Sequence, residues 1–127
     1  MTYQTSEFSG DAIHTINCTG DACVGDRVSF ERATFSGGYR NASFAGFERI
    51  EAEIIKESYG AAKQQHTFTL RKDDGSILRI KGRNLYANGL YRKPWIDEAQ
   101  RRVVLDEKHI RGGAARAARA ERKEQWV

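Results

Sequence analysis

The chain has 127 residues, 39 % of them hydrophobic and 30 % charged, with a formal net charge of +4. That length fits one domain with a modest core, at a size where roughly a third of the unfolded chain's surface stays wet. No apolar run approaches the ~20 residues of a membrane-spanning helix, and the opening MTYQTSEFSG lacks the basic patch and apolar stretch of a signal peptide, so a cytoplasmic protein away from membranes is expected.

Residues 1–24 are polar with scattered Gly and Thr and are expected as an arm, with one short strand at AIHTIN. Residues 25–35, GDRVSFERATF, form a strand entered from a Gly-Asp turn, Val28 and Phe30 on one face and Ser29 and Glu31 on the other. The Gly/Ser-rich SGGYRNASFAG is expected as a loop, rich in aromatics for its type with Tyr39, Phe44 and, just after it, Phe47. FERIEAEIIKESYG fits two periods. As a strand, Ile50, Ala52 and Ile54 line one face; as a helix, Phe47, Ile50 and Ile54 make a stripe that Gly60 caps. Its place between two clearer strands favours the strand.

HTFTLRKDDGSILRIKGRNLY reads as a hairpin whose register is decided by burial. A two-residue loop at Asp74-Gly75 sets Leu70 against Arg79, which a sheet with one buried face rejects. A three-residue loop, Asp73-Asp74-Gly75, pairs Leu70 with Leu78, Phe68 with Ile80, Thr69 with Arg79 and Thr67 with Lys81, and puts Gly75 where positive φ is needed. Phe68, Leu70, Leu78 and Ile80 then face the core, and Arg71, Arg79 and Lys81 share the other face. Asn88-Gly89 marks a further turn or small hairpin. PWIDEAQRRVVLDEKHI is expected as a helix, with capping-box spacing at Asp97 and Gln100 and favourable i, i+4 pairs Glu98–Arg102 and Glu107–Arg111. Ile96, Val103 and Ile110 recur every seven residues without a matching second stripe, which argues against a long coiled coil. Gly112-Gly113 is expected to break the helix, with a second, partner-ordered helix in AARAARAERKEQWV.

Charge is unevenly spread. Residues 1–70 carry 6 Lys/Arg against 9 Asp/Glu, residues 71–95 carry 7 against 2, and residues 96–127 carry 8 against 6. No acidic residue lies between Gly75 and Ile96. Such asymmetry points to an anionic partner, nucleic acid or acidic protein. The candidate phosphate contacts are Arg71, Arg79, Lys81, Arg83, Arg92 and Lys93, with Tyr86, Tyr91 and Trp95 as stacking platforms. The opposing reading is the solvated back of a half-exposed sheet. Candidate partner-binding residues are Tyr39, Phe44, Arg116, Arg119, Arg122 and Trp126.

Other chemistry is thinly supported. Cys18 and Cys23 are separated by four intervening residues, with His14 four positions before Cys18, which lacks the usual spacing of zinc ligands, so no metal and no cofactor is expected. Glu48, Glu51, Glu53 and Lys56 are read as a solvated strand row rather than a nuclease cluster, and no phosphate loop or nucleophile elbow occurs, so no enzyme is expected.

The expected fold is mainly β: a small SH3-like antiparallel barrel, with an OB-like barrel as second choice, followed by a C-terminal α-helical extension. GDRVSF entering a first strand and KGRNLY closing one resemble the SH3-like group at the level of fold over residues 25–92. The units are residues 1–24, an arm; 25–94, the barrel; and 95–127, a basic Ala/Arg-rich helical extension. The expected function is a non-enzymatic nucleic-acid-binding accessory protein, with DNA or RNA as partner. The alternative is a protein-binding adaptor or inhibitor, such as a small viral or plasmid protein docking on a larger host complex. Sequence does not fix the oligomeric state.

Overall fold

Eight elements follow in the order β1 (Ile16–Asn17), β2 (Arg27–Ser36), β3 (Ser43–Tyr59), β4 (His66–Lys72), β5 (Ile77–Lys81), α1 (Gly82–Tyr86), β6 (Leu90–Arg92) and α2 (Glu98–Gln125). They come from a computed structural model that describes residues 8–38, 40–59 and 66–125, with side chains described except at 59, 115, 116 and 118–125. The strands form one antiparallel sheet in the order β1-β6-β2-β3-β4-β5. The chain is mainly β with a C-terminal helix, as expected, but the sheet is open, with β1 and β5 at its two edges.

The segment with two periods is strand throughout: β3 runs 17 residues and pairs with β2 on one side and β4 on the other. Pairing on both sides satisfies its backbone and overrides the helix preference of its Glu, Ala and Lys residues. The expected loop at 36–46 is shorter than its composition implies, because Ser36 still pairs with Ser43 and Phe35 with Phe44. The β4–β5 hairpin has the three-residue register, Leu70 on Leu78 and Phe68 on Ile80, with Gly75 at φ +85°. An L side chain there would sit in the left-handed region.

Two irregularities set the shape. A bulge between Thr34 and Phe35 twists the β2–β3 ladder, and another between Ile54 and Lys56 leaves Ile55 unpaired against β4. One extra residue inverts the facing of everything beyond it. Ile54 lies opposite Leu70, and Glu57, not Lys56 or Ser58, lies opposite the core residue Phe68. A carboxylate is thereby turned inward. The core itself is Val28, Phe30, Ile50, Ala52, Ile54, Phe68, Leu70, Ile80, Leu85 and Leu90, with Cys18 and Ala22 closing it from the N-terminal side.

Helix α2 lies over this core in an unexpected sense. Its buried positions are Arg101, Leu105, Lys108 and Gly112, spaced i, i+4, i+7, i+11 on one face. The seven-spaced apolar residues Ile96, Val103 and Ile110 point to solvent instead, Ile110 being 71 % exposed. Gly112-Gly113 does not break the helix, which runs unbroken to Gln125. Strong helix formers on both sides absorb the roughly 1 kcal/mol that each glycine costs. The expected pairs Glu98–Arg102 and Glu107–Arg111 give way to other partners: Glu98 meets Arg92 and Arg111 meets Glu57, both outside the helix, while Arg102 makes an i, i+4 pair with Asp106 instead. Asp97 caps the start, its carboxylate accepting from the Ala99 amide at 3.0 Å.

No helix of the described chain is long and apolar enough to cross a membrane.

Candidate functional site

Two charged assemblies stand out, and they do different things. The first fastens α2 to the sheet. Asp26 is fully buried at the entry to β2. Its carboxylate accepts from the Cys23 amide at 3.1 Å, the Trp95 indole at 2.7 Å, and Arg101 Nε and a terminal guanidinium nitrogen at 2.8 and 2.9 Å. Arg101 donates further to the Asp21 carbonyl at 2.7 Å. The bonds to Asp26 raise the Arg101 pKa in spite of burial. A buried ion pair is tolerated only when hydrogen bonds engage its lone pairs and protons; Asp26 accepts four from N–H donors here, and Arg101 gives three from Nε and one terminal nitrogen.

Glu57 is the second anchor. Its side chain is 1 % exposed and meets His66 at 3.0 Å, Lys108 at 3.3 Å and Arg111 at 3.1 Å. Burial works to raise its pKa, but the His66 and Lys108 contacts win and hold it below the ordinary value. Lys108 also donates to the Ala22 carbonyl and sits 5.1 Å from the centre of the Phe68 ring. Arg92 and Glu98 add a bidentate pair at 2.9 and 2.7 Å. Glu98, held by Arg92 and the Trp95 amide, is lowered to about 2.

These contacts correct several sequence expectations. Arg92 is buried and neutralised, so it is a strut rather than a phosphate contact. Tyr86 is half-buried and packs edge-on against the core residue Phe68, its hydroxyl accepting from the Ala22 amide at 3.3 Å, and burial raises its pKa. Tyr91 lies under Phe8, ring centres 5.5 Å apart, and against Gly10. Trp95 spends its N–H on Asp26, and its ring lies so close to Gly25 that a Cβ there would come within 2.8 Å. None of the three is an open stacking platform. Arg71 is exposed but pairs with Glu53 at 3.1 Å.

The second assembly is a groove of about 600 Å³ where the sheet fails to close, between the far end of β2, the edge strand β5 and α1. Arg32, Phe35, Arg79, Lys81, Arg83 and Asn84 line it, with the backbone turn at Ala87-Asn88 as floor. Arg79, Lys81 and Arg83 are exposed, and among the described residues none of them has a carboxylate within ion-pair distance. Arg32 has one loose partner, Glu48 at 3.5 Å. Phe35 is 65 % exposed, and its ring belongs to an edge-to-face series with Phe44 (6.3 Å) and Phe44 with Phe47 (5.2 Å). So the structure brings together three of the expected cations and separates them from Arg71, Arg92 and Lys93.

Lys93 lies elsewhere, in a cavity of about 360 Å³ beside Trp95, where Arg27 and Lys93 face Glu53 and Asp97. That balance of signs does not favour an anion. Phe44 is exposed at the tip of the β2–β3 hairpin. Tyr39 and Trp126 lie outside the described residues; Arg116, Arg119 and Arg122 lie on the α2 backbone with side chains outside the description. Sequence reading missed Arg32 and Phe35. Arg32 follows Val28 and Phe30 at period two, and a cation at a core-facing position is the legible sign that the core has ended there.

The cysteines are sealed in the core as free thiols, and burial pushes both up to about 12. Cys23 Sγ faces Asp26 at 3.8 Å. Thiolate is the metal-binding form, so these positions suit packing rather than ligation. Asp11, His14 and Glu51 do bring three donor atoms within 4.8 Å of one another. Asp11 Oδ1 is already taken by the Ile13 and His14 amides at 2.8 and 2.7 Å, an arrangement that clamps the N-terminal loop.

Residues 18–95 match the family described as Domain of unknown function (DUF7699), and the chain belongs to that family. The chain is also 43 % identical, over 118 aligned residues and 82 % of its length, to "Zinc finger CCCH domain-containing protein 62" of Oryza sativa subsp. japonica. It spans 17 % of that relative's length. A CCCH zinc site takes three cysteines and one histidine, and this chain has two cysteines in all. No solved structure shows significant similarity to the chain.

Proposed function

We propose that this chain is a non-enzymatic nucleic-acid-binding module, built as an open SH3-like sheet that binds through its unclosed seam. The order β6-β2-β3-β4-β5, with the single-turn α1 leading into β6, supports the SH3-like reading. The observation that carries the function is the set of three cations, Arg79, Lys81 and Arg83, without carboxylate partners among the described residues and gathered with Arg32 around one groove. Stability gives no reason to cluster like charges, which repel one another, whereas a phosphate backbone rewards it by releasing counterions. The relative's zinc-finger name is compatible with a nucleic-acid context for that larger protein.

The test is binding of a labelled oligonucleotide by the full chain and two variants. R79A/K81A is expected to lose affinity about tenfold or more on every sequence alike, as phosphate contacts carry no base information. R71A, whose guanidinium is already paired with Glu53, is expected to lose little. Equal loss from both variants, or none from either, rules the groove out.

A second reading has its own support. Val103 and Ile110 are exposed along the outer face of α2, with Ile96 exposed just before its start, which suits a protein-docking adaptor. Under that reading V103D/I110D abolishes partner capture and R79A/K81A leaves it intact.

A further inference from the structure

We infer that the seam groove takes a single-stranded nucleic acid and stacks one of its bases on Phe35. The inference rests on the nucleic-acid reading above and sharpens it. Three features of the groove point to a strand whose bases are free.

The first is the aromatic. Phe35 follows the register shift at which Ala45 of β3 is left without a partner on β2, and it lines the same groove as Arg79, Lys81 and Arg83 while 65 % exposed. A phenyl ring left this open contributes little to the core; the core has Phe30 and Phe68 fully buried for that task. Its neighbour Phe44 meets it edge-to-face, and Phe47 meets Phe44, so the ring is braced from the hairpin side rather than left loose. Bases in a duplex have both faces covered, and only an unpaired base offers a face to an aromatic side chain.

The second is shape. The cations surround a concave site of about 600 Å³, the scale of a pocket for one small ligand. A duplex is tracked by cations spread along a surface, and here the row is broken, since Arg71 is held by Glu53 and Arg92 by Glu98. The third is Asn84, exposed on α1 at the rim. Its amide carries the donor and acceptor pair that a base edge takes. Sugar identity is left to backbone contacts, so DNA and RNA single strands share the chemistry recognised.

The experiment uses the full chain with labelled single-stranded RNA, single-stranded DNA and a duplex of the same sequence. F35L keeps an apolar side chain of similar bulk and removes the π face; F35W restores it and adds a reporter. Single strands are expected to bind at least tenfold tighter than duplex. F35L is expected to weaken single-strand binding about tenfold while leaving the salt dependence unchanged, because stacking releases no counterions. The F35W indole is expected to regain affinity and to be quenched on binding. Circular dichroism of each variant fixes whether the fold is retained, which an exposed side chain allows. Equal affinity for duplex, or F35L binding as wild type while R79A/K81A is impaired, overturns the single-strand inference and leaves the nucleic-acid reading standing. Failure of the wild type to bind any of the three probes overturns both. A preference between the two sugars supports the inference and assigns its source.

Discussion

Asp26 and Glu57 are two carboxylates enclosed by protein, and both are neutralised from α2. Removing one partner of a buried pair strands the other in low dielectric. Arg101→Ala is therefore expected to destabilise the fold by about 3–5 kcal/mol, read from urea unfolding. An exposed pair of the same chemistry costs far less, typically under ~1 kcal/mol, and Arg102→Ala, paired with Asp106 in solvent, supplies that comparison. Glu98 gives a pH signature. Its pKa is lowered from the ordinary 4.5 to about 2 by Arg92 and the Trp95 amide. A depressed folded-state value means the unfolded chain binds the proton first. The stabilisation is complete above pH 4.5 and fades as pH falls toward about 2. Tm should drop over that window, and E98Q should show a shallower drop from a lower plateau. Because the Glu98 side chain is about half exposed, solvent screens the pair and the effect is modest.

At the scale of elements, what could be read from sequence follows what is local. The β4–β5 register was decidable because two constraints, Gly75 at a positive φ and apolar residues on one face, agree on a single solution. The inward turn of Glu57 was not decidable. It depends on the one-residue bulge at Ile55, and without that bulge period two places Glu57 outside. The same hidden step conceals the facing of α2. Arg101 and Lys108 read as a solvated face until Asp26 and Glu57, distant in sequence, are seen beneath them. Burial then goes to the charged side, and Val103 and Ile110 are left outside. Helix α1 spans only five residues, too few to show a period. The continuity of α2 through Gly112-Gly113 is testable. Gly113→Ala should raise helical signal at 222 nm and stabilise the chain by up to about 1 kcal/mol. A helix truly broken at that point would show no gain.

At the scale of the whole molecule, the candidate site sits where the sheet stops pairing. β5 is an edge strand, and edges are commonly guarded by charge against pairing with another chain. Arg79 and Lys81 serve that purpose whether or not they bind a ligand. Guarding an edge, however, does not require Arg83 on α1, Arg32 on β2 or an open aromatic beside them. The sequence made Arg79, Lys81 and Arg83 visible as part of an acid-free stretch. It could not show that Arg71, Tyr86 and Tyr91 are occupied elsewhere, because their partners Glu53, Ala22 and Phe8 come from other parts of the chain, nor that Arg92 turns to Glu98, six residues on at the start of α2. The decisive measurement is the salt dependence of affinity for a labelled single-stranded oligonucleotide, for the wild type and R79A/K81A side by side. Three groove cations at about 0.7 each give an expected slope of log affinity against log salt near −2, and losing two of them should flatten it by about 1.4. A wild-type affinity that ignores salt, or a slope the double substitution leaves unchanged, contradicts a phosphate-binding seam.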